Sequence, residues 1–455
     1  MNVKKDLLNG ENQIKGIFSR IRRRDFSGNS GQAIKNSTFQ LATNLVAKIG
    51  SLFFTIIIAR LLMPELFGLY SLALATILMF SAISNLGSGQ VLIKFVSEEL
   101  GKGNLKNAKK YSKYFFKVRI FLLTIAITTL LICSKFLANS YYQKPIFLAL
   151  LAGAFYLLAI NIMTIFESLL MAQNNFKNVF FKELFFQIIR LIILPLSVIY
   201  FISLENSFLT ALIIISLSVC FYLAILFILF LSKKDLSYLS INAGELNLSE
   251  KKEFNHFLFV LSITSLTGMF FSYIDMFFLG RFVSGEMIGF YSVATSLVGA
   301  AIPLISFAGA LLPIFSRLDA TKSKHLLNKS LKITLLISIP TIIFSVLIAS
   351  YLIRLVYGSA YLDAVFIFRV FTILFIISPL VAIYTNFHIS QNNPSKVTRA
   401  VILSTLINLL LNGLAIYYLV SIGASQYSIV LGVTFATIIS KIAYLINLMI
   451  PNKSL

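Results

Sequence analysis

The sequence contains few of the residues from which enzymes and metalloproteins build their sites. Its two cysteines, Cys133 and Cys220, lie in apolar stretches, where they behave as small hydrophobic residues and suggest neither a disulfide nor a metal site. The three histidines, His256, His325 and His388, are far apart and are interpreted as solvated or interfacial side chains. Walker loops, HExxH, CxxC and nucleophile-elbow motifs are absent. We therefore expect no catalytic residue, no metal, no cofactor and no ATP hydrolysis by this chain.

Charged residues are scarce, and hydrophobic residues are abundant. Only 12% of the 455 residues are charged, 58% are hydrophobic, and the mean hydropathy is +0.88. The apolar residues come in runs of about 20, the length with which an α-helix crosses roughly 30 Å of hydrocarbon. A period-2 alternation is absent, which argues against an outer-membrane barrel. The composition therefore predicts an all-α, polytopic membrane protein.

Twelve apolar runs predict about twelve transmembrane helices. The loops on the predicted outer side have only about 5–15 residues, so they leave no room for a folded catalytic domain. The largest loops on the other side are about 94–111 and 232–255. The predicted helices are about 36–60, 67–93, 112–133, 146–171, 179–202, 208–231, 256–280, 287–313, 327–351, 364–389, 399–420 and 426–449.

Two stretches about half a chain apart have similar sequences. Residues 59–73 read ARLLMPELFGLYSLA, and residues 280–294 read GRFVSGEMIGFYSVA. A second similarity joins Met-Ala-Gln-Asn-Asn at 171–175 to Ile-Ser-Gln-Asn-Asn at 389–393. Membrane proteins with two like halves are typically transporters whose substrate site lies between the halves. The identical pairs in the first similarity are Arg60/Arg281, Glu65/Glu286, Gly68/Gly289, Tyr70/Tyr291, Ser71/Ser292 and Ala73/Ala294.

The repeat divides the twelve helices into six and six. Because six is even, both halves enter the membrane from the same side, so the repeat is parallel, with its axis along the membrane normal. We predict four parts: a basic N-terminal segment (1–35), a first six-helix lobe (36–232), a linker (233–255) and a second six-helix lobe (256–455).

Lysine and arginine positions predict the orientation. Roughly 30 of the 39 lie in the N-terminus, the even-numbered loops and the C-terminus, which the positive-inside rule places in the cytoplasm. The first 35 residues are basic and contain no apolar signal region, so we expect no removable signal peptide. This segment is interpreted either as a flexible charged tail or as an interfacial segment on anionic lipid. The formal charge of +22 reflects this bias, and we expect no nucleic-acid partner because no soluble domain is predicted.

The repeated motif resembles that of a known family. Ala-Arg-Leu-Leu-Met-Pro-Glu-Leu-Phe-Gly-Leu-Tyr-Ser, 59–71, resembles the start of the Wzx-like flippases of lipid-linked oligosaccharides, and Tyr-Ile-Asp-Met-Phe-Phe-Leu-Gly-Arg, 273–281, is similar to their second half. Met63 and Ser284-Gly285 stand where Gly-Pro is more usual. The wider superfamily includes multidrug and toxin extruders and the lipid II flippase. The resemblance implies a V-shaped pair of six-helix bundles around a polar cavity that opens to each side in turn.

The motif also has a direct physical interpretation. Arg60 and Arg281 end helices 1 and 7 at the outer surface, where a cation favours the lipid interface and satisfies terminal carbonyls. Gly68 and Gly289 permit close helix contact. The motif is therefore mainly a structural hairpin, while a role of the two arginines at an outer gate or in substrate binding stays open.

Cations inside the apolar runs are the first candidates for a binding site, since each is costly unless it is paired or hydrated. Lys48 lies near the middle of helix 1, Asn44 lies one turn earlier on the same face, and Arg190 lies near the middle of helix 5. A hydrated cation is a simple partner for a lipid-linked diphosphate. The alternatives are an internal ion pair with Glu167 or Glu183 and snorkelling to an interface, which we favour for Arg369 and Lys441.

Two embedded carboxylates are candidates for ion coupling. Glu167 lies late in helix 4, and Asp275 lies late in helix 7. Either side chain is chemically suited to binding H⁺ or Na⁺. Both lie within about two turns of an interface, so simple solvation is the alternative.

These observations predict a flippase that moves a polyprenyl-(di)phosphate-linked oligosaccharide across the cytoplasmic membrane by alternating access, with both termini in the cytoplasm. Its expected partners are this glycan, membrane lipids, H⁺ or Na⁺, and glycan polymerases and glycosyltransferases of the same pathway. One alternative is an ion-coupled extruder of cationic drugs, against which the two embedded cations argue. Another is a membrane glycan polymerase or ligase, against which the short outward loops and the repeat argue.

Overall fold

The computed structural model describes residues 28–315 and 320–450, so most of the predicted basic segment lies outside the described residues. Within these ranges the chain is helical and contains no β-strand. The first helical run, Gly28–Asn85, is divided at Met63, which has non-helical angles (φ 59°, ψ 169°), into α1 (28–62) and the first part of α2. A side chain at this positive φ is strained, and the following Pro64 favours the extended ψ of Met63.

The remaining helices follow in chain order. They are the second part of α2 (Ser88–Gly101), α3 (Leu105–Lys135, with a π-helical extension Phe136–Tyr142), α4 (Phe147–Ala172), α5 (Phe176–Phe201), α6 (Asn206–Leu231), α7 (Leu248–Phe282), α8 (Gly285–Ile305 and Ala308–Phe315), α9 (Ala320–Val356), α10 (Ala364–Phe371 and Leu374–Ser390), α11 (Pro394–Ser421) and α12 (Gln426–Met449).

The predicted fold class is confirmed. Eleven helical segments of the described chain are long and apolar enough to cross a membrane, and the first of them, Lys35–Gly101, contains both α1 and α2. Twelve membrane-crossing helices therefore result, at the twelve predicted places. The structure extends several of them beyond the apolar runs: α3 begins at Leu105, and α7 begins at Leu248. These added turns carry many lysines, which a prediction from apolar runs leaves out.

Three predicted continuous helices are broken inside the membrane region. The break in α2 lies at Leu86 and Gly87, which both have a positive φ. The break in α8 lies between Ile305 and Ala308 and includes Phe307. Leu86 and Phe307 are 221 residues apart, the same spacing as that of Tyr70 and Tyr291 in the repeated motif. Both halves therefore interrupt their second helix at equivalent positions. The third break lies in α10, at residues 372–373.

A buried arginine closes the break in α2. Arg119 of α3 is 3% exposed and donates through Nη1 to the backbone oxygen of Asn85 at 3.0 Å and to Ser88 Oγ. Its Nη2 donates to Thr164 Oγ1 at 3.0 Å. Carbonyls at a helix end carry a partial negative charge, so they stabilise this cation without a carboxylate. Sequence analysis did not identify this role.

The hydrophobic core joins the two halves at one end of the bundle. Its largest cluster contains buried residues of α1 and α2 together with residues of α8 and α10, such as Leu62, Phe67, Phe290 and Phe368. We call this end, which carries the α1–α2 and α7–α8 turns, the outer end, following the predicted orientation. A second cluster packs Phe254 of α7 against the first half at the opposite end. Between these two regions the halves enclose a cavity.

Candidate functional site

The cavity lies between the first six helices and the last six. Its volume is about 480 Å³. In the first half its wall is formed by α1, α2, α4, α5 and α6, and in the second half by α7, α8, α10 and α12. Three of its lining residues are charged: Arg190, Asp275 and Lys441.

Arg190 is held in the wall by aromatic faces and one amide. Its guanidinium carbon lies 4.3 Å from the ring centroid of Phe54 and 5.2 Å from that of Phe186. Its Nη2 donates to Gln187 Oε1 at 2.6 Å, and its Nε is buried without a partner. Cation–π contacts fix a guanidinium without neutralising its charge. Arg190 therefore presents a positive charge to the cavity.

A chain of polar side chains connects Arg190 to a buried ion pair. Gln187 Nε2 donates to Glu183 Oε1 at 2.6 Å, and Lys182 Nζ donates to Glu183 Oε2 at 2.8 Å. Lys182, which is 3% exposed, also forms an ion pair with Glu167 of α4. The two acids, Glu167 and Glu183, and the two bases, Lys182 and Arg190, thus balance in formal charge. Glu167 lies outside the cavity lining and is paired. Sequence analysis missed Lys182, which adjoins Glu183 in the helix that also carries Arg190.

Asp275 of α7 is 6% exposed and lines the cavity from the second half. Its carboxylate accepts hydrogen bonds from Tyr291 Oη at 2.7 Å, Asn412 Nδ2 at 2.8 Å and Thr437 Oγ1 at 2.6 Å. Asn412 Nδ2 lies 3.3 Å from Asn408 Oδ1, and Asn412 Oδ1 is buried without a partner. Three donors stabilise the ionised carboxylate, and the free amide oxygen beside it is a second candidate ligand for a cation.

Lys441 lies in the cavity wall rather than at an interface, which corrects the expectation of snorkelling. It follows Thr437 by one turn of α12, so both project from the same face. Its Nζ lies 5.9 Å from the ring centroid of Phe271. The position of Lys441 late in α12 suggested a membrane interface. Its spacing of four residues from Thr437 was the sequence signal that the two side chains share one polar face of α12.

Lys48 and Asn44 belong to the helix face that enters the cavity. Ser51 and Thr55 line the cavity, and residues 44, 48, 51 and 55 recur at helical spacing along one stripe of α1. Lys48 and Asn44 are exposed and lie on the side of Ser51 that is away from the outer end, with Lys48 about 4.5 Å from Ser51 along the axis. The structure therefore brings Arg190 to the cavity directly and places Lys48 on the approach to it.

Arg60 and Arg281 lie away from the cavity, at the outer end, and each binds the opposite half. Arg60 of α1 donates through Nε to the backbone oxygen of Val356 at 2.7 Å and through Nη2 to that of Leu355, at the end of α9. Arg281 of α7 donates through Nη1 to the oxygens of Ser140 and Tyr141 at 3.1 and 2.8 Å, at the end of the α3 extension. Since α7 and α9 are the repeat counterparts of α1 and α3, the two contacts are related by the pseudo-symmetry.

A second pair of contacts follows the same symmetry. Tyr361 Oη donates to the backbone oxygen of Ala59 at 2.7 Å, and Lys144 Nζ donates to that of Gly280 at 2.7 Å. The helices also touch closely, because a Cβ atom on Gly68 would lie 1.8 Å from the Gly285 oxygen, and one on Gly289 would lie 2.1 Å from the Pro64 oxygen. We call this set of cross-half contacts the outer seal. It closes the cavity toward the outer end.

A family model described as polysaccharide biosynthesis protein matches residues 57–366. The fold is similar to that of the lipid II flippase MurJ in an inward closed conformation, with a TM-score of 0.68 and 18% identity, over 90% of this chain and 87% of that chain. It is also similar to an inward-facing multidrug resistance MATE transporter of the MOP superfamily, with a TM-score of 0.64 and 14% identity, over 90% and 93% of the two chains. A search among curated proteins finds no match.

Proposed function

Because this chain belongs to the family of polysaccharide biosynthesis proteins, within the MOP superfamily of transporters, we propose that it is a flippase for a polyprenyl-(di)phosphate-linked oligosaccharide. It would move this lipid across the cytoplasmic membrane by alternating access and without covalent chemistry. Both termini would lie in the cytoplasm, where glycosyltransferases supply the glycan. A glycan polymerase would act on the product at the outer surface.

The observation that carries this proposal is the charge of the cavity. Arg190 from the first half and Lys441 from the second line the same space, and Asp275, the one carboxylate among the described lining residues, already accepts three hydrogen bonds. A diphosphate crossing hydrocarbon needs such cations, because an uncompensated charge there is prohibitively costly. Arginine also binds phosphate oxygens with two parallel hydrogen bonds.

The energy source we propose is an ion gradient sensed by Asp275. Its carboxylate and the unpartnered Asn412 Oδ1 offer oxygen ligands to H⁺ or Na⁺ at the edge of the cavity. Glu167 was the second candidate from the sequence. It pairs with Lys182 outside the lining, so we assign it to holding α4 and α5 together rather than to coupling.

An ion-coupled extruder of cationic drugs is the second candidate. Asp275 and the aromatic residues of the wall, among them Phe67, Tyr156 and Phe371, would suit a flat organic cation. The polymerase or ligase has less support. Among the described residues the longest connection at the outer end is 357–363, which leaves little room to hold an acceptor glycan.

Reconstituted vesicles test the proposal and separate it from the drug extruder. The purified protein should move a fluorescent polyprenyl-diphosphate-linked oligosaccharide from one leaflet to the other, whereas ethidium should not be transported. Arg190→Ala and Lys441→Ala should each slow glycan movement roughly ten- to hundredfold, because a charge-assisted hydrogen bond is worth about 1.5–3 kcal/mol. Lys48→Ala should weaken it less, since Lys48 lies on the approach.

The matched control is Arg354→Ala, which removes an exposed arginine near the end of α9 and outside the cavity lining. Its transport should equal that of the wild type at equal protein abundance. Transport of ethidium with no movement of the lipid-linked glycan would refute the flippase and support the extruder.

A further inference from the structure

The two halves place a tyrosine at equivalent positions of the repeat, with different surroundings. Tyr70 of α2 and Tyr291 of α8 are separated by 221 residues, and both line the cavity. Tyr291 donates its hydroxyl hydrogen to Asp275. The Tyr70 side chain is only 3% exposed, and its hydroxyl has no partner among the described residues. A buried donor without an acceptor is uncommon, so the free hydroxyl requires an explanation.

The first half has an aromatic ring at the position equivalent to Asp275. Counting back 221 residues from Asp275 gives Phe54, which lines the same wall as Tyr70. In the second half this position supplies a carboxylate to the tyrosine, and in the first half it supplies a face on which the Arg190 guanidinium rests at 4.3 Å. At this position the second half therefore supplies a hydrogen-bond acceptor, Asp275, whereas the first half supplies a ring that holds a donor, Arg190.

Arg190 carries the second unpaired donor. Its Nη2 is engaged by Gln187, which is itself fixed by Glu183, whereas its Nε–H is buried without a partner. Tyr70 and Arg190 both line the cavity from the first half. Two buried donors in one wall, one of them on the Arg190 guanidinium and neither with a protein acceptor, have the chemistry of an oxyanion site.

We propose that Tyr70 Oη and Arg190 Nε form an anion subsite that binds phosphoryl oxygens of a diphosphate in the first half of the cavity. This inference rests on the proposed function and deepens it, because it assigns the diphosphate to the first half. Phe54, the repeat counterpart of Asp275, offers no acceptor. The lining carboxylate therefore lies in the second half. The ligand supplies the acceptors that Asp275 supplies to Tyr291.

The test compares two tyrosines whose buried hydroxyls are both unpartnered. Tyr70→Phe removes a donor in the cavity, and Tyr357→Phe removes one that lies outside the lining. Neither hydroxyl has a protein partner, so neither variant should lower the thermal stability of the ligand-free protein. The full-length protein in detergent is titrated with geranyl diphosphate as the probe, with geraniol as the uncharged comparison, and binding is measured calorimetrically.

Tyr70→Phe should bind geranyl diphosphate about tenfold more weakly than the wild type, while Tyr357→Phe should bind it equally well. Arg190→Lys keeps the charge but loses the Nε donor, and it should weaken binding as well. The double variant Tyr70→Phe/Arg190→Lys should lose less than the product of the two single effects, because both donors hold one anion. Geraniol should bind all five proteins alike.

Unchanged affinity of Tyr70→Phe, or no binding of geranyl diphosphate by the wild type, would overturn the subsite. Its failure is distinguishable from failure of the proposed function. A protein that flips the lipid-linked glycan while Tyr70→Phe binds normally refutes the subsite alone. A protein that shows the Tyr70 effect but does not move the glycan retains the subsite and refutes the flippase.

Discussion

Several embedded charges are either compensated by named partners or lie in the cavity wall, whereas Lys48 is exposed on the approach to the cavity. Arg119 caps a helix break, and Lys182 lies between Glu167 and Glu183. Arg190, Asp275 and Lys441 face the cavity. Because an isolated charge is expensive in hydrocarbon, the compensated residues support the fold, and those in the wall are available to a substrate.

Lys182 provides a test of this distinction. Lys182→Met leaves two carboxylates facing each other without their cation, and breaking a buried ion pair typically costs about 3–5 kcal/mol. We expect a clear fall in the thermal midpoint of the protein in detergent. We also expect less protein in the membrane, measured by immunoblotting. Adding Glu167→Gln should restore much of the loss, because the remaining Glu183 then balances Arg190. A single variant as stable as the wild type would contradict the assigned role of the pair.

The sequence predicted Arg190 and Asp275 as site residues, and the structure places both in the cavity wall, but it did not reveal their partners. A charge inside an apolar run is recognisable by itself, whereas Asn412 and Thr437, which donate to Asp275, lie 137 and 162 residues away from it. Lys441 was assigned to an interface because distance from a helix end was the available criterion. The direction in which a helix face points depends on packing between distant helices.

At the scale of the helices, the twelve apolar runs predicted the elements, while their interruptions stayed hidden. The stretch around Leu86 is polar and contains glycine (Ser84-Asn85-Leu86-Gly87-Ser88-Gly89-Gln90), but hydrophobicity averaged over the length of a membrane-spanning helix conceals it and predicts one helix there. The break becomes stable because Arg119 binds the freed backbone oxygen of Asn85. The sequence likewise predicted that Arg60 and Arg281 contact carbonyls at helix ends. It did not reveal that these carbonyls belong to the opposite half.

The outer seal leads to a prediction about conformation. Arg60→Ala combined with Arg281→Ala removes two pseudo-symmetric caps, and each cap is a charge-assisted bond to a helix end. We expect the outer end to open more often. A cysteine introduced at Ser71, which lines the cavity, should then react roughly tenfold faster with a membrane-impermeant thiol reagent added from outside. The background protein has both native cysteines replaced.

Lys135→Ala is the matched control for this experiment, since it removes an exposed cation near the end of α3 that takes no part in the outer seal. It should leave the labelling rate unchanged. If the double arginine variant also labels at the wild-type rate, the caps do not hold the halves together. Labelling of Ser71→Cys from the cytoplasmic side only, in every variant, would assign closure to the glycine contacts instead.

At the scale of the whole molecule, the repeat explains both the symmetry and its loss. The outer seal keeps equivalent contacts in both halves, because closing a cavity between two like bundles requires matched surfaces. The cavity wall does not keep them. In the first half Arg190 rests on the ring of Phe54 in the same wall as the unpartnered Tyr70, whereas in the second half Tyr291 donates to a carboxylate. The two halves of the duplicated scaffold therefore differ in their walls: the first carries Arg190, and the second carries Asp275 together with Lys441.

This asymmetry leads to the prediction on energy coupling. Asp275→Asn keeps the size and one acceptor oxygen of the side chain but removes the charge that attracts H⁺ or Na⁺. In reconstituted vesicles, movement of the lipid-linked glycan by the wild type should need no ATP and should respond to an imposed proton gradient, sodium gradient or voltage. Asp275→Asn should reduce that response at least about tenfold while leaving affinity for geranyl diphosphate nearly unchanged, because the diphosphate binds the other half.

Glu167→Gln is the comparison, and it should keep the gradient response at equal abundance. A full gradient response in Asp275→Asn would place coupling elsewhere in the chain, and a lost response in Glu167→Gln would move it to the buried network of the first half.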